Sequence, residues 1–478
     1  MIPKRRNIFK YATVATPWGM APMDVIVEGE QIIWVGFDAD PSPTDNVYEL
    51  NGLLLLPGFV DMHTHLHLQV GNFLVADDFA SGTQAALVGG TTTVVEYVTP
   101  EPGEDFELAM LQWREKAASS FIDYAFHLCV PSVTPEILDE LPRFVEKGIT
   151  GFKVFLAYPE RLQLSLDNIG RVMEIVGPAG GVVFVHAEEG DEIERLRKEA
   201  VAAGRLCPAE HARTRPPSTE EKAVAQIIDL VRKTHCPTVI VHVSTANAVE
   251  LLTQARIEGL PVFGETCPHY LWFTDKMLER PFPESAHYVC SPPLRTMTDA
   301  SSLWDALTVG ALQFLATDHC PFSSNVRCAV EDFSRIPNGM SAIGSRFFMT
   351  FAGGPRSGRF GMERLTHVLS TFPAMICGLY PRKGAIVPGA DADLVIVDPF
   401  GVTDLDTDPL AGAVDFNPWA GIFAPGSILG VMGRGKWLWK EGLMAVDSPQ
   451  GIFIERKRLR KHSIEQLLRK DLAWILSH

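Results

Sequence analysis

The chain has 478 residues, 46% of them hydrophobic and 21% charged, with a formal net charge of −16. That composition is ordinary for a soluble globular protein able to bury a sizeable core. The negative balance argues against a nucleic-acid partner, because holding phosphates requires a clustered basic surface.

The one basic run, Arg456 to Lys461 (RKRLRK), reads as a solvated tail or helix face. No apolar stretch approaches the ~20 residues that cross a bilayer, and the first residues, MIPKRRNIFKYATVATPWG, lack a continuous hydrophobic signal segment. A cytoplasmic protein with no membrane partner is expected. The 8 cysteines are dispersed without a CxxC pair, which fits reduced thiols better than a disulfide scaffold or a cysteine zinc knuckle.

In chain order, residues 1 to about 50 read as short strands and hairpins, among them DVIVEGEQIIWVG, two apolar runs joined across Glu28-Gly29. The texture then changes to short apolar or β-branched runs separated by helix-length stretches: LLLLPGFVDMHTH, TTTVVEYV, YAFHLCV, GFKVFLAY, VVFVHAE, TVIVHVS, VFGETCPHY and QFLATDHC. About eight such runs are what a (β/α)8 barrel requires. Intervening segments such as EDFELAMLQWREKAASS and STEEKAVAQIIDLVRKTH place apolar residues at helical spacing, as outer-ring helices do. Strand texture returns in DADLVIVDP and GKWLWKEG, so the two ends of the chain can pair into one small β domain. The division expected is 1–52 and 384–445 for the small domain, 53–383 for the barrel, and 446–478 for a C-terminal tail or helix.

Polar residues fall at the C-terminal end of nearly every run, the end that carries the active site in barrels of this class. His63 and His65, two apart after the first run, can point the same way and meet one ion. His67 continues the spacing but belongs to the following loop. Lys153 lies inside an apolar run, where an ammonium is costly. Its plain reading is a lysine reaching out to the strand end. The alternative is a neutral amine that takes up carbon dioxide as a carbamate, an anionic ligand able to bridge two cations. His186 and His242 each close a β-branched run; alone either is a hydrogen-bonded core histidine, and two at equivalent strand ends point to ligands. Asp318 ends the last run, where a metal or histidine partner would offset the cost of a buried carboxylate. His319, Glu188, Glu265 and His269 are read as supporting or structurally paired groups.

With these residues in place, the sequence resembles the dihydropyrimidinase and D-hydantoinase branch of the cyclic amidohydrolases. PGFVDMHTHL, GFKVFLAY, HAE, HVS, GETCPHYL, SPPLR, ATDHCPF, IPNG and PRKGAIVPGADADLVIVDP occur in the family's order across most of the chain. The resemblance implies an α/β fold, a (β/α)8 TIM-like barrel with a smaller β-sandwich domain formed by both chain ends, and a homo-oligomer, tetramer or dimer. It implies two divalent metal ions, zinc before manganese or cobalt: His63, His65 and Asp318 on one, His186 and His242 on the other, and carboxylated Lys153 between them. It further implies that Tyr158 donates to the developing oxyanion and that backbone groups at Ser291 and Asn338 hold a small cyclic amide or ureide. Asp318 is then the general base and acid of ring opening to an N-carbamoyl amino acid.

Glu189, where the family commonly has Asn, departs from the pattern, as do the absence of an acidic residue near Gly344 and the loop Leu66 to Phe73 (LHLQVGNF). These leave the ligand set whole and the ring substituent open. Dihydroorotases typically read HxHxR where this chain has His67, allantoinases typically lack the tyrosine matched by Tyr158, and one-metal deaminases do not need Lys153. The non-catalytic collapsin response mediator proteins have lost metal ligands that are all present here.

Overall fold

The computed structural model describes residues 5–468 except 160, 408, 409, 411, 460, 461 and 466. In chain order the strands are β1 (Arg6–Thr16), β2 (Gly19–Glu28), β3 (Gln31–Gly36), β4 (Asn46–Glu49), β5 (Leu54–Pro57), β6 (Phe59–Thr64), β7 (Gln69–Val70), β8 (Phe73–Leu74), β9 (Thr91–Val98) and β10 (Asp123–Cys129). There follow β11 (Gly151–Phe155), β12 (Val182–His186), β13 (Thr238–Ile240), β14 (Val262–Thr266), β15 (Phe314–Leu315), β16 (Leu394–Asp404), β17 (Phe423–Gly433), β18 (Lys436–Lys440) and β19 (Leu443–Met444).

Eight of these, in the order β15-β14-β13-β12-β11-β10-β9-β6, form a parallel sheet. A helix follows each one before the next: Phe106–Ala117 after β9, for example, and Pro217–Thr234 after β12. Sequence explains both helices. Asp105 caps the first by accepting from Leu108 N, and Arg114 and Lys116 sit in its last turn, where cations favour the helix dipole. The second starts with Pro217 in its first turn and buries Ala223, Val224, Ile227, Ile228 and Val231 as one stripe. Inside the sheet, Val60, Met62, Val95, Ala125, Phe184, Val239, Phe263 and Phe314 fill the barrel.

The sheet closes into a barrel with almost no ladder. β6 and the segment after β15 share one parallel bridge, Thr64 with His319, and the His65 amide donates to the His319 carbonyl at 3.0 Å. Side chains complete the seam. Asp61 accepts from Thr317 N at 3.2 Å and from Thr317 Oγ1 at 2.7 Å. The buried Arg346 guanidinium donates to the carbonyls of Val60 (2.9 Å) and Leu315 (3.1 Å), one on each side.

Nine strands from the two chain ends make the smaller domain, in the order β19-β18-β17-β16-β5-β1-β2-β3, with β4 also on β1. The path doubles back on itself. Trp437 of β18 packs edge-on against Phe9 and Tyr48, from strands well along the path, and donates to the Tyr48 hydroxyl at 3.1 Å. Val25, Ile32, Leu55, Leu394, Ile396 and Met432 fill the space between the layers.

Three expectations change. LLLLPGFVDMHTH is two strands: Leu54–Pro57 joins the small domain by pairing with β16 and β1, and the barrel starts at Phe59. The break falls at Gly58, where a Cβ would stand 2.1 Å from Thr92 Oγ1, so only glycine lets the chain pass there. The first hairpin turns one residue later than Glu28-Gly29: Glu28 pairs with Gln31, and Gly29 supplies the positive φ of 61°. The RKRLRK run is not a solvated face throughout. Arg456 is buried against the barrel floor, where it donates to the Phe126 carbonyl and meets His127 Nδ1 at 3.3 Å. The chain before it runs along β10, with Ile454 N donating to the Tyr124 carbonyl. Arg460, Lys461 and residues 469–478 lie outside the described residues.

Asp61→Ala removes the acceptor that both Thr317 donors use and the carboxylate that stands 3.8 Å from Nη1 of the buried Arg346. The expected cost is about 3–5 kcal/mol, the range for breaking one partner out of a buried charged pair. A lowered apparent melting temperature would report it.

Candidate metal centre

Nine sequence-chosen residues line one cavity of about 450 Å³ at the C-terminal mouth of the barrel: His63, His65, Lys153, His186, His242, Asp318, Tyr158, Ser291 and Asn338. β6 presents His63, with His65 one residue past its end, β11 presents Lys153 and β12 His186. His242 and Asp318 come two and three residues after their strands end and take left-handed backbone, φ 42° and 48°, as does Tyr158 at 67°. Non-glycine residues hold that conformation only where their surroundings enforce it.

The tightest cluster among the described residues is His63, His65 and Asp318, whose donor atoms lie within 4.8 Å of one another. Its chemistry follows from one contact behind it. His63 Nδ1 is 2.6 Å from Glu265 Oε1, an oxygen that can only accept, so Nδ1 carries the hydrogen. With Nδ1 so committed, Nε2 is the nitrogen that faces Asp318 Oδ1, 3.2 Å away. His65 Nε2 is 3.1 Å from the same oxygen. Nitrogen and carboxylate so placed share either a proton or a metal cation. Burial opposes charging His63, but Glu265 and Asp318 outweigh it and raise its pKa to about 9. A divalent ion meets the same demand with three ligands. The donor set fits such an ion.

The second group lies alongside. His186 and His242 have ring centroids 4.6 Å apart, and His242 is 5.6 Å from His63. His186 Nε2 meets Glu188 Oε2 at 2.8 Å, which leaves Nδ1 as its lone pair. His242 Nδ1 is buried without a hydrogen-bond partner in the structure. Burial lowers the pKa of both rings and keeps them neutral, the form that binds metal. Lys153 is 1% exposed, 4.9 Å from the Tyr97 ring centroid. Burial lowers its pKa to about 8 against the pull of Glu265 and Asp318, so the free amine is accessible near neutral pH. Across the cavity, Asn338 Nδ2 donates to Ser291 Oγ at 2.8 Å, and the Tyr158 phenol lines the same cavity. Burial lifts that phenol to about 12, so it stays a proton donor.

The supporting residues divide. Glu265 and Glu188 orient histidines, as expected, and the Glu188 carboxylate is held down to about 2 because Arg215 and His186 outweigh its burial. His319 turns away from the cavity: its Nε2 meets Asp77 Oδ2 at 2.9 Å and its Nδ1 accepts from Ala342 N at 3.2 Å. His67 sits in the loop with φ 55°. His269 is buried with both ring nitrogens unpaired, so no structural pairing accounts for it. Glu96 and Tyr97 were missed. Glu96 accepts from Thr64 Oγ1 (2.7 Å) and Leu66 N (2.9 Å), on either side of His65, and Tyr97 stacks on His65 and His127. Both end the run TTTVVEYV, so the rule that found the other site residues would have found them too.

Of the departures, Leu66–Phe73 contributes Leu68, Val70, Gly71 and Phe73 to the cavity wall. Glu189 forms an ion pair with Lys222 at 2.7 Å, at the start of a helix. Gly344 is pressed against the Leu410 backbone, where a Cβ would stand 2.3 Å from the carbonyl oxygen and no acidic side chain fits.

Residues 54–438 match the amidohydrolase family, whose members use divalent metal ions. The chain is 37% identical over 456 residues to the D-hydantoinase of Geobacillus stearothermophilus, covering 95% of this chain and 97% of that one. It is 34% identical over 457 residues to a D-phenylhydantoinase of Escherichia coli O1:K1 / APEC, covering 95% and 98%. The solved structure of a dihydropyrimidinase from Brevibacillus agri NCHU1002 superposes with a TM-score of 0.93 at 35% identity, over 95% of this chain and 100% of that one. The chain therefore belongs to the amidohydrolase family, in the branch that holds the D-hydantoinases and dihydropyrimidinases. No helix among the described residues is long and apolar enough to cross a membrane.

Glu265→Gln keeps the shape but removes the charge behind His63. Metal affinity is expected to fall about 10- to 100-fold, the usual effect of losing a carboxylate behind a metal-bound histidine. Competition against a chelator, followed by metal analysis of the protein, measures it.

Proposed function

We propose that this chain hydrolyses cyclic amides, opening hydantoin or dihydropyrimidine rings to N-carbamoyl amino acids with two divalent metal ions, zinc in preference to manganese or cobalt. The observation that carries the reading is His63 held by Glu265 through Nδ1 so that Nε2 faces the Asp318 carboxylate beside His65. The names of the relatives and the shared cavity of all nine residues support it.

His63, His65 and Asp318 would hold one ion and His186 and His242 the other, with Lys153, carboxylated, between them. When bound, the ions lower the pKa of water and polarise the amide carbonyl. Asp318 accepts the proton of the attacking water and returns it to the departing ring nitrogen. Tyr158 donates to the oxyanion that forms on the attacked carbonyl. Ser291 and Asn338 present donors and acceptors to the rest of the ring amide. Leu68, Val70, Phe73, Phe155, Leu162 and Ile336 make an apolar wall for the ring substituent.

The reading includes a homo-oligomer in the cytoplasm. Phe400, Val402 and Phe423 lie close together on paired β16 and β17 and are 79%, 64% and 69% exposed, an apolar patch suited to a second copy. The 8 cysteines are free, as a reducing compartment would keep them.

Lys153→Ala is expected to abolish hydrolysis and reduce bound metal below two ions per chain while the circular dichroism spectrum stays unchanged; full activity would make the lysine merely structural. Tyr158→Phe should lower kcat by roughly 10²- to 10³-fold, the loss typical of one oxyanion donor. A panel of dihydrouracil, dihydrothymine, hydantoin, phenylhydantoin, allantoin and dihydroorotate tests the substrate class. Preference for either of the last two would replace this assignment.

A further inference from the structure

Beside the metal cavity lies a second one of about 270 Å³, and the two share Tyr158, Arg161, Ser334, Ile336 and Asn338 as a common wall. Arg215 lines only the second. It is 8% exposed, and its own carbonyl is gripped by Arg295 Nη1. A guanidinium so enclosed needs a partner, and it has two. Nη1 donates at 2.6 Å to Glu188 Oε2, the same oxygen that meets His186 Nε2 at 2.8 Å. The guanidinium carbon stands 5.6 Å from the centroid of the Tyr158 ring, within the range of a cation–π contact.

One buried cation thus touches both the carboxylate behind His186 and the face of Tyr158. Each needs holding. The second oxygen of Glu188, Oε1, is buried without a hydrogen-bond partner, so without Arg215 only His186 would restrain that carboxylate. Tyr158 occupies a backbone conformation that a tyrosine seldom adopts, and its ring contacts His186 with centroids 5.2 Å apart. We propose that Arg215 is a positioning residue that fixes His186 and Tyr158 relative to one another, locking the oxyanion donor to the metal-binding half-site. This rests on the roles assigned above to His186 and Tyr158. Arg215 acts through its neighbours and does not line the cavity where the ring would bind.

The second cavity supplies the test, because removing the side chain leaves room beside it for a small cation. Arg215→Ala and Arg215→Lys are compared with the unaltered zinc-loaded chain for kcat, KM, zinc retained against a chelator and melting temperature. Expected for Arg215→Ala are a fall in kcat of about 10- to 100-fold, KM within a few-fold, and zinc retention weakened by a similar factor. Millimolar guanidinium should then restore at least part of both kcat and zinc retention, whereas equal sodium chloride or methylammonium should not. Lysine should compensate poorly, since it lacks the planar fork. Unchanged kcat and zinc retention in Arg215→Ala would overturn the proposal. So would a loss that guanidinium fails to reverse, whatever the melting temperature. If the unaltered chain hydrolyses no cyclic amide, the functional reading fails by itself, while zinc retention still decides the role of Arg215.

Discussion

The first and last strands of the barrel scarcely pair, yet the candidate metal centre is built across that seam. One bridge, Thr64 with His319, joins them, its backbone bond running from the His65 amide to the His319 carbonyl. Asp61, Thr317 and Arg346 supply the remaining polar stitching, although 256 positions separate Asp61 from Thr317. His63 and His65 stand on one side of the seam and Asp318 on the other. Their approach is set by how the barrel closes, so a change in the stitching moves the ligands.

A repeated device sits behind the site: an imidazole backed by a carboxylate. Glu265 orients His63, Glu188 orients His186, and Asp77 holds His319. In the first two the carboxylate takes one ring nitrogen of a histidine that lines the cavity and leaves the other nitrogen for a ligand role. In the third, both ring nitrogens are satisfied within the protein, by Asp77 and by backbone amides of Ala342 and Ile343. The same pairing thus makes two candidate ligands and one structural post, and the decision lies in which nitrogen meets the carboxylate and what faces the other.

Burial gives the centre its protonation pattern. It keeps His65, His186 and His242 neutral, keeps the Tyr158 phenol protonated and brings the Lys153 amine within reach of neutrality. Arg215 keeps Glu188 ionised within the same enclosure. The left-handed backbone at His242, Asp318 and Tyr158 is strain concentrated where side chains must be aimed, and the packed barrel carries it. The wall formed by Leu66–Phe73 is the part of the cavity that departs from the family pattern, while the centre keeps the residues expected of it.

Sequence alone determined the alternation of eight strands with helices, the return of the chain end to its beginning, and the choice of His63, His65, Lys153, His186, His242 and Asp318. These are legible because strand and helix periods are local, and because a polar residue closing an apolar run stands out against its neighbours. The split at Gly58 was not legible, since the obstacle to a side chain there is Thr92, 34 positions away. Burial of Arg456 was hidden for a similar reason: its partners, Phe126 and His127, come from a strand 330 and 329 positions earlier. Arg215 carried no signal because its meaning depends on Glu188 and Tyr158 meeting it from two other loops. What tertiary structure decided was therefore every role that depends on a partner: which nitrogen of His63 is free, and which buried cation stands behind His186. Local pattern records how one residue treats the core and water; a hydrogen bond between distant residues exists only once the chain has closed.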